Sequence, residues 1–372
     1  MGEASHVRLT GWVGFSTIAV AAAGLILVAG RGMGFYNDEW WFILGRSISD
    51  PVTWFAAHNE HWVTLHVIVY LGLHQLVGES SYLPYLAALM AVHVSAAAAL
   101  FILVRRIRDG WAPLAVTSIF LVLGSGFENL FWGFQMGMVG GLSLGLWALV
   151  AVPRRPIVAA VLLLAGVATS GSVLFGVAAA CVYLLLTRPR WAAITLLPVA
   201  AYGVWWVVIG AATARNEHLP FNLGWTLGYP GNALGAWMGG VTGLGFAGGL
   251  AVLLVTPYLL YRSRPLNPLV LASIAAITAE VAVLTLSRSA INSPWAPRYV
   301  YLCAPWALIV ASAMRLPTLV ARPAFAWALA VNLLLVVYWG HQWPIERGNP
   351  PVTCQPAAVA GASVCETNFA AR

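Results

Sequence analysis

The chain has 372 residues, 60% of them hydrophobic and only 8% charged, with a mean hydropathy of +0.82. A composition this apolar excludes an ordinary soluble domain and points to an integral membrane protein. The net charge of +7 does not indicate nucleic-acid binding. All 19 basic residues are arginine, and most sit in short clusters between apolar runs.

Those clusters set an orientation, because loops on the cytoplasmic side of a membrane are enriched in basic residues. Arg8 starts inside, and the apolar run 10–30 crosses outward as a first helix. The loop 31–81 is then extracytoplasmic. Within it, 61–77 is apolar enough to be a span but carries Thr64, His66, Tyr70, His74 and Gln75. If it crossed, Arg105, Arg106 and Arg108 would fall outside and every later cluster would invert. It therefore reads as an amphipathic helix lying on the outer surface. The run 82–104 returns inward to that first cluster. Further spans are expected at 111–123, 137–152 (ending at Arg154-Arg155), 157–168, 173–187 (ending at Arg188), 191–210, 235–261, 268–286, 299–314 and 323–340. The fold expected is an all-α membrane protein, a polytopic bundle of eleven spans over 1–340 with an interfacial helix in the first outer loop. A short extracytoplasmic tail, 341–372, follows.

The acids were not used to set this orientation, and they fall almost wholly on one side of it. Asp38, Glu39, Asp50, Glu60, Glu79, Glu128, Glu217, Glu346 and Glu366 lie outside. Glu3 and Asp109 lie inside, and Glu280 lies within a span. Cys181 and Cys303 fall in apolar spans as packing residues. Cys354 and Cys365 fall in the tail, where an oxidising compartment would allow them either to bridge or to stay free.

The candidate chemistry concentrates in the first outer loop. Asp38-Glu39 follows the first helix by a short linker, so that helix anchors the pair. A carboxylate at a membrane surface can deprotonate a hydroxyl or bind a cation. Trp40 and Trp41 beside it suit a sugar, whose C–H faces pack on aromatic rings while carboxylates bond its hydroxyls. With 18 tryptophans in the chain, most serve as interfacial anchors. The run His58-Asn59-Glu60-His61-Trp62 could set a second carboxylate, Glu60, opposite Asp38. Alternatively its two imidazoles could ligate a metal. Glu128-Asn129 with Trp132 and Gln135, and Arg215-Asn216-Glu217-His218, lie in later outer loops. Arg288 and Arg298, the latter followed by Tyr299, oppose the positive-inside bias and so require an anionic partner, such as a protein acid, a lipid head group or a substrate phosphate. Glu280 is costly inside a span and should face a cavity or a partner.

This order of parts resembles the GT-C superfamily, multi-spanning glycosyltransferases that use polyprenyl-phosphate sugars. The group includes protein O-mannosyltransferases, aminoarabinose transferases and oligosaccharyltransferase catalytic subunits. The likeness runs through a first helix, an outer loop opening on an acid pair, a polar aromatic stretch leading into a surface helix, and a second helix ending in arginines. In that family the first-loop acid is the catalytic or metal-linked carboxylate, which matches Asp38, with Glu39 beside it. The late Arg298-Tyr299 ahead of Pro305 is similar to the family's contact with the donor phosphate. By motif the likeness covers the first hundred residues and the Arg298 region. The tail 341–372 departs from members that carry a soluble extracytoplasmic domain.

The resemblance implies a plasma-membrane, multi-pass glycosyltransferase with a cytoplasmic N-terminus and an extracytoplasmic C-terminus. It would move a sugar from a polyprenyl-phosphate donor to a hydroxyl of a glycan, lipid or protein acceptor. Asp38, Glu39 and Glu60 are the expected catalytic acids. Arg298, Arg288, His58, His61, Trp41, Glu128, Gln135 and Tyr299 are the expected substrate contacts. Asp38 would act either as general base with no cofactor or as a ligand, with His61, of a divalent cation, Mg or Mn. The reading from another class is a transporter or flippase of a lipid-linked or amphipathic solute.

Overall fold

Runs of Ala, Leu, Val and Gly with almost no charge have one stable form in lipid, a helix whose backbone groups are satisfied within the segment. A computed structural model describes residues 3–213, 222–288, 293–347, 353–356 and 363–366. The chain is a helical bundle in which, among the described residues, seven helices are long and apolar enough to cross a membrane. Helix α1 (Glu3–Ala29) ends in a 3-10 turn at Gly30–Gly32. The first loop then folds into two short helices, α2 (Asp38–Gly45) and α3 (Pro51–Phe55), followed by α4 (Thr64–Val77). The second long helix is α5 (Leu83–Arg105).

Next come α6 (Ala112–Leu121), a compact stretch of short turns containing α7 (Glu128–Phe131), and α8 (Met136–Ala151). Two shorter helices, α9 (Pro156–Val167) and α10 (Val173–Thr187), precede the composite 3-10, α and π run that includes α11 (Leu196–Trp205) and ends at α12 (Ala211–Thr213). The remaining helices are α13 (Leu223–Thr242), α14 (Gly245–Arg262), α15 (Pro268–Arg288), α16 (Pro297–Ala313) and α17 (Thr318–Arg347). Two short strands, β1 (Thr353–Pro356) and β2 (Ser363–Glu366), pair antiparallel and set Cys354 opposite Cys365 in register.

The seven candidate spans are Thr10–Gly32, Leu83–Arg105, Gly133–Ala151, Pro189–Thr213, Gly245–Arg262, Pro268–Arg288 and Thr318–Pro344. Four expected spans correspond to helices shorter than these, among them α9 and α10. The expected single span at 235–261 is instead two helices. Gly243 adopts φ +70° and closes α13 with a left-handed cap, which ends a helix where a side chain would be strained. The chain turns there, and α14 packs so closely on α13 that a methyl group on Gly249 would overlap the Gly235 carbonyl.

The arginine clusters gather at one end of the bundle. Arg106 donates to the Val150 carbonyl at 2.8 Å, and Arg108 donates to the carbonyls of Ser312 and Met314 at 3.0 and 2.7 Å. The Arg315 amide donates to Ser263 Oγ at 3.0 Å. Large apolar side chains such as Val20, Val207, Leu254, Leu286 and Leu319 face outward along the helices, as lipid-facing surfaces require. The 61–77 segment appears as α4, a 14-residue helix. His66, Val67, Tyr70 and Leu71 face the protein, while Leu65, Val69 and Leu76 are exposed. Its polar face is therefore turned inward, the reverse of a helix on a soluble protein.

Candidate active site

The other end of the bundle, where α5 begins and α15 ends, holds the acids. The Asp38-Glu39 pair opens α2, and successive helical residues point about 100° apart, so the two carboxylates part company. Glu39 turns into the core and is fully buried. It accepts hydrogen bonds from the Tyr70 and Tyr82 hydroxyls, both at 2.8 Å, and from the Tyr36 amide at 2.8 Å. Burial outweighs these donors and raises its pKa to about 7. Tyr82 is tied in turn to the Gly133 amide at 2.6 Å. Position 133 has no room for a side chain, because a Cβ would come within 3.0 Å of the Tyr82 hydroxyl. Glu39 thus locks α2, α4, the start of α5 and the 133–135 turn together.

Asp38 turns the other way, at the N-terminus of α2, where the helix dipole favours its charge. Its side chain is 25% exposed, and His58 Nε2 stands 3.5 Å from its Oδ1. Arg298 is within electrostatic reach, since Asp38 helps to hold that guanidinium in its charged form. Burial works against the Arg298 charge, but Glu128, with an oxygen 3.2 Å from Nη1, is the main group that offsets it and raises its pKa. The Arg298 guanidinium also lies over the Tyr299 ring, 5.3 Å from its centroid. Asp38, His58, Arg298, Glu128 and Tyr299 therefore form one cluster drawn from α2, the 58–61 turn, α7 and α16. Gln135 is buried beside it and faces the Asn129 amide at 3.5 Å.

A second group forms beside the first. Glu60 makes an ion pair with Arg288, the last residue of α15. His61 Nε2 lies 3.3 Å from Arg288 and 4.0 Å from Glu60. So Glu60 is committed to Arg288 rather than set against Asp38. Trp41 is half-buried on α2. The 215–218 run lies outside the described residues.

Arg46 has a different job from a substrate contact. It donates to the carbonyls of Thr53, Ala56 and Ala57 at 2.5, 3.0 and 3.0 Å, and its guanidinium covers the Phe42 ring. The loop is also held from outside. Tyr202 donates to the Glu60 carbonyl, Trp205 to the Phe55 carbonyl, and the Ala57 amide to Thr213 Oγ1. His66 packs among Phe42, Tyr70 and Phe134, where burial lowers its pKa to about 3 and keeps it neutral.

The expected cation site does not assemble. Asp38 is paired with His58, His61 is turned to Glu60 and Arg288, and among the described residues no three His, Cys, Asp or Glu side chains converge as metal ligands. Asp38 and His61 are thus turned to different partners rather than to a shared ligand.

Tyr70, Tyr82 and Gly133 were not singled out by the sequence. The 66/70 spacing on α4, which puts His66 and Tyr70 on one face, was the available signal. No family model, curated protein or solved structure matches the chain.

Proposed function

We propose that the protein is a membrane glycosyltransferase with a GT-C-like arrangement of spanning helices in the plasma membrane. The acid-rich end faces outward and the N-terminus lies in the cytoplasm. It moves a sugar from a polyprenyl-phosphate donor to an acceptor hydroxyl. The observation that carries this reading is that Asp38, a partly exposed carboxylate, lies within electrostatic reach of Arg298, a partly exposed arginine at the start of α16. A general base next to an anion-binding fork suits a reaction between a hydroxyl and a sugar phosphate.

In this reading Arg298 holds the donor phosphate, and Glu128 beneath it fixes the guanidinium plane. Asp38 takes the proton of the acceptor hydroxyl. The acceptor oxygen bonds to the anomeric carbon from the face opposite the phosphate, the carbon–oxygen bond to the phosphate breaks, and polyprenyl phosphate leaves. The sugar is inverted. Glu39 acts as a frame for α2 rather than as a reacting group. The exposed apolar side chains of α4, Leu65, Val69 and Leu76, would then sit in the outer leaflet beside the site.

The test is release of polyprenyl phosphate by the purified protein from a panel of polyprenyl-phosphate sugars in detergent with added acceptors. Release that depends on both donor and acceptor supports the reading, and absence of release across the panel contradicts it. A transporter or flippase is favoured by one observation, Glu280, whose two carboxylate oxygens are buried in α15 without a hydrogen-bond partner. Vectorial movement of a lipid-linked sugar across proteoliposomes, lost in Glu280→Gln, would select it.

A further inference from the structure

His58 is held more tightly than a loop residue that merely meets a substrate needs to be. Asn59 adopts φ +52°, and the backbones of His58 and His61 exchange two hydrogen bonds of 3.0 Å, so the turn is closed. The imidazole stands edge-on to Phe42, with ring centres 5.2 Å apart and planes at 89°. Phe134 packs on it at 5.1 Å. Phe42 is itself fully buried and covered by Arg46. The ring therefore has little freedom, and its side chain is only 11% exposed.

One nitrogen of this fixed ring is unspent. Among the described residues His58 Nε2 makes no hydrogen bond, yet it stands 3.5 Å from Asp38 Oδ1. A buried imidazole nitrogen without a partner is costly, so its place needs a reason. The distance is that of a pair poised to bond rather than an aligned hydrogen bond, as is common before substrate tightens a site. The charged and titratable groups nearest to it are Asp38, His61 and His66, of which His66 is held neutral.

We propose that His58 is the positioning residue for Asp38, with Nε2 as its N–H donor, an inference that rests on the transferase reading above. In the transfer step Asp38 receives the acceptor's hydroxyl proton while the new bond to the anomeric carbon forms and the bond to the phosphate oxygen breaks. The proton is then released from the Asp38 carboxyl to water, which regenerates the carboxylate, and no other reactant is consumed. The Nε2–H contact keeps Oδ1 turned toward His58 and leaves the other carboxylate oxygen for the acceptor.

The experiment measures steady-state transfer by wild type, His58→Ala and His58→Gln, with and without added imidazole, alongside thermal unfolding. The expected result is a fall in kcat of tenfold or more in His58→Ala with the acceptor KM within about twofold of wild type, and a smaller fall in His58→Gln, whose side-chain amide still carries an N–H donor. Added imidazole should restore a substantial part of kcat in His58→Ala and nothing in Asp38→Asn. A kcat within twofold of wild type in His58→Ala overturns the inference while leaving the transferase reading intact. So does a loss that imidazole cannot restore and that tracks lowered stability, which assigns His58 to packing. If wild type itself transfers no sugar from any donor tested, the functional reading falls and this inference with it.

Discussion

Glu39 supplies the sharpest test of how the site is framed. Replacing it with alanine leaves the Tyr70 and Tyr82 hydroxyls, which donate to Glu39 Oε1 at 2.8 Å each, without that acceptor in a fully buried space. Each buried group left unsatisfied costs about 1–3 kcal/mol, so the two together cost roughly 2–6 kcal/mol. Glutamine is different. It keeps a carbonyl oxygen for both phenols but turns its NH2 group to the Tyr36 N–H, so Glu39→Gln at pH 5.5 should cost about 1–3 kcal/mol, less than alanine. The assay is unfolding in mixed detergent micelles followed by circular dichroism at pH 5.5, with both variants beside wild type. Alanine as stable as wild type, or glutamine as damaging as alanine, would refute the view that Glu39 is an acceptor hub.

The same carboxyl predicts a pH dependence. Its pKa is raised from 4.5 to about 7 in the fold, so its contribution is fully present below pH 4.5 and is lost as pH rises through about 7. The cost by pH 8 is about 3 kcal/mol, and a pH series should show it in wild type and not in Glu39→Gln. Arg298→Lys should weaken donor binding at least tenfold, because an ammonium cannot reproduce a planar fork shared between Glu128 and a phosphate; binding of a polyprenyl-phosphate analogue checks this, and unchanged affinity in Arg298→Ala would make the residue structural. Glu280→Leu removes two buried acceptors that have no donor among the described residues and should raise stability by roughly 1–3 kcal/mol in the same unfolding assay. A destabilised Glu280→Leu would show that this carboxylate has a stabilising partner.

Much of the bundle is legible in the sequence because lipid leaves few choices. An apolar run such as Leu83–Arg105 can only be a helix, and the arginines that follow such runs do collect at one end. The break at Gly243 is not legible in the same way. The 235–261 run is continuously apolar, and only the left-handed turn, with Gly235, Gly239, Gly245 and Gly249 at the contact, reveals two helices. The site divides along similar lines. Asp38 and Arg298 stand out in the sequence as unusual charge in unusual places. That Asp38 and Glu39 face opposite ways could not, since the short helix α2 is hidden in a stretch that reads as loop. Nor could Glu60 be seen to belong to Arg288, because that pair joins residues more than two hundred positions apart and depends on where α15 ends.

The central claim is that Asp38 is the base of a sugar transfer. Asparagine keeps its size and its ability to hydrogen-bond at the start of α2, but it accepts no proton at neutral pH. Loss of a general base costs about 10²–10⁴ in rate. The decisive measurement is the turnover of purified Asp38→Asn against wild type with a polyprenyl-phosphate sugar donor, with donor binding and unfolding measured on the same samples. Transfer should fall by at least a hundredfold, with the fold intact and the donor still bound. Turnover equal to wild type in Asp38→Asn would contradict that claim.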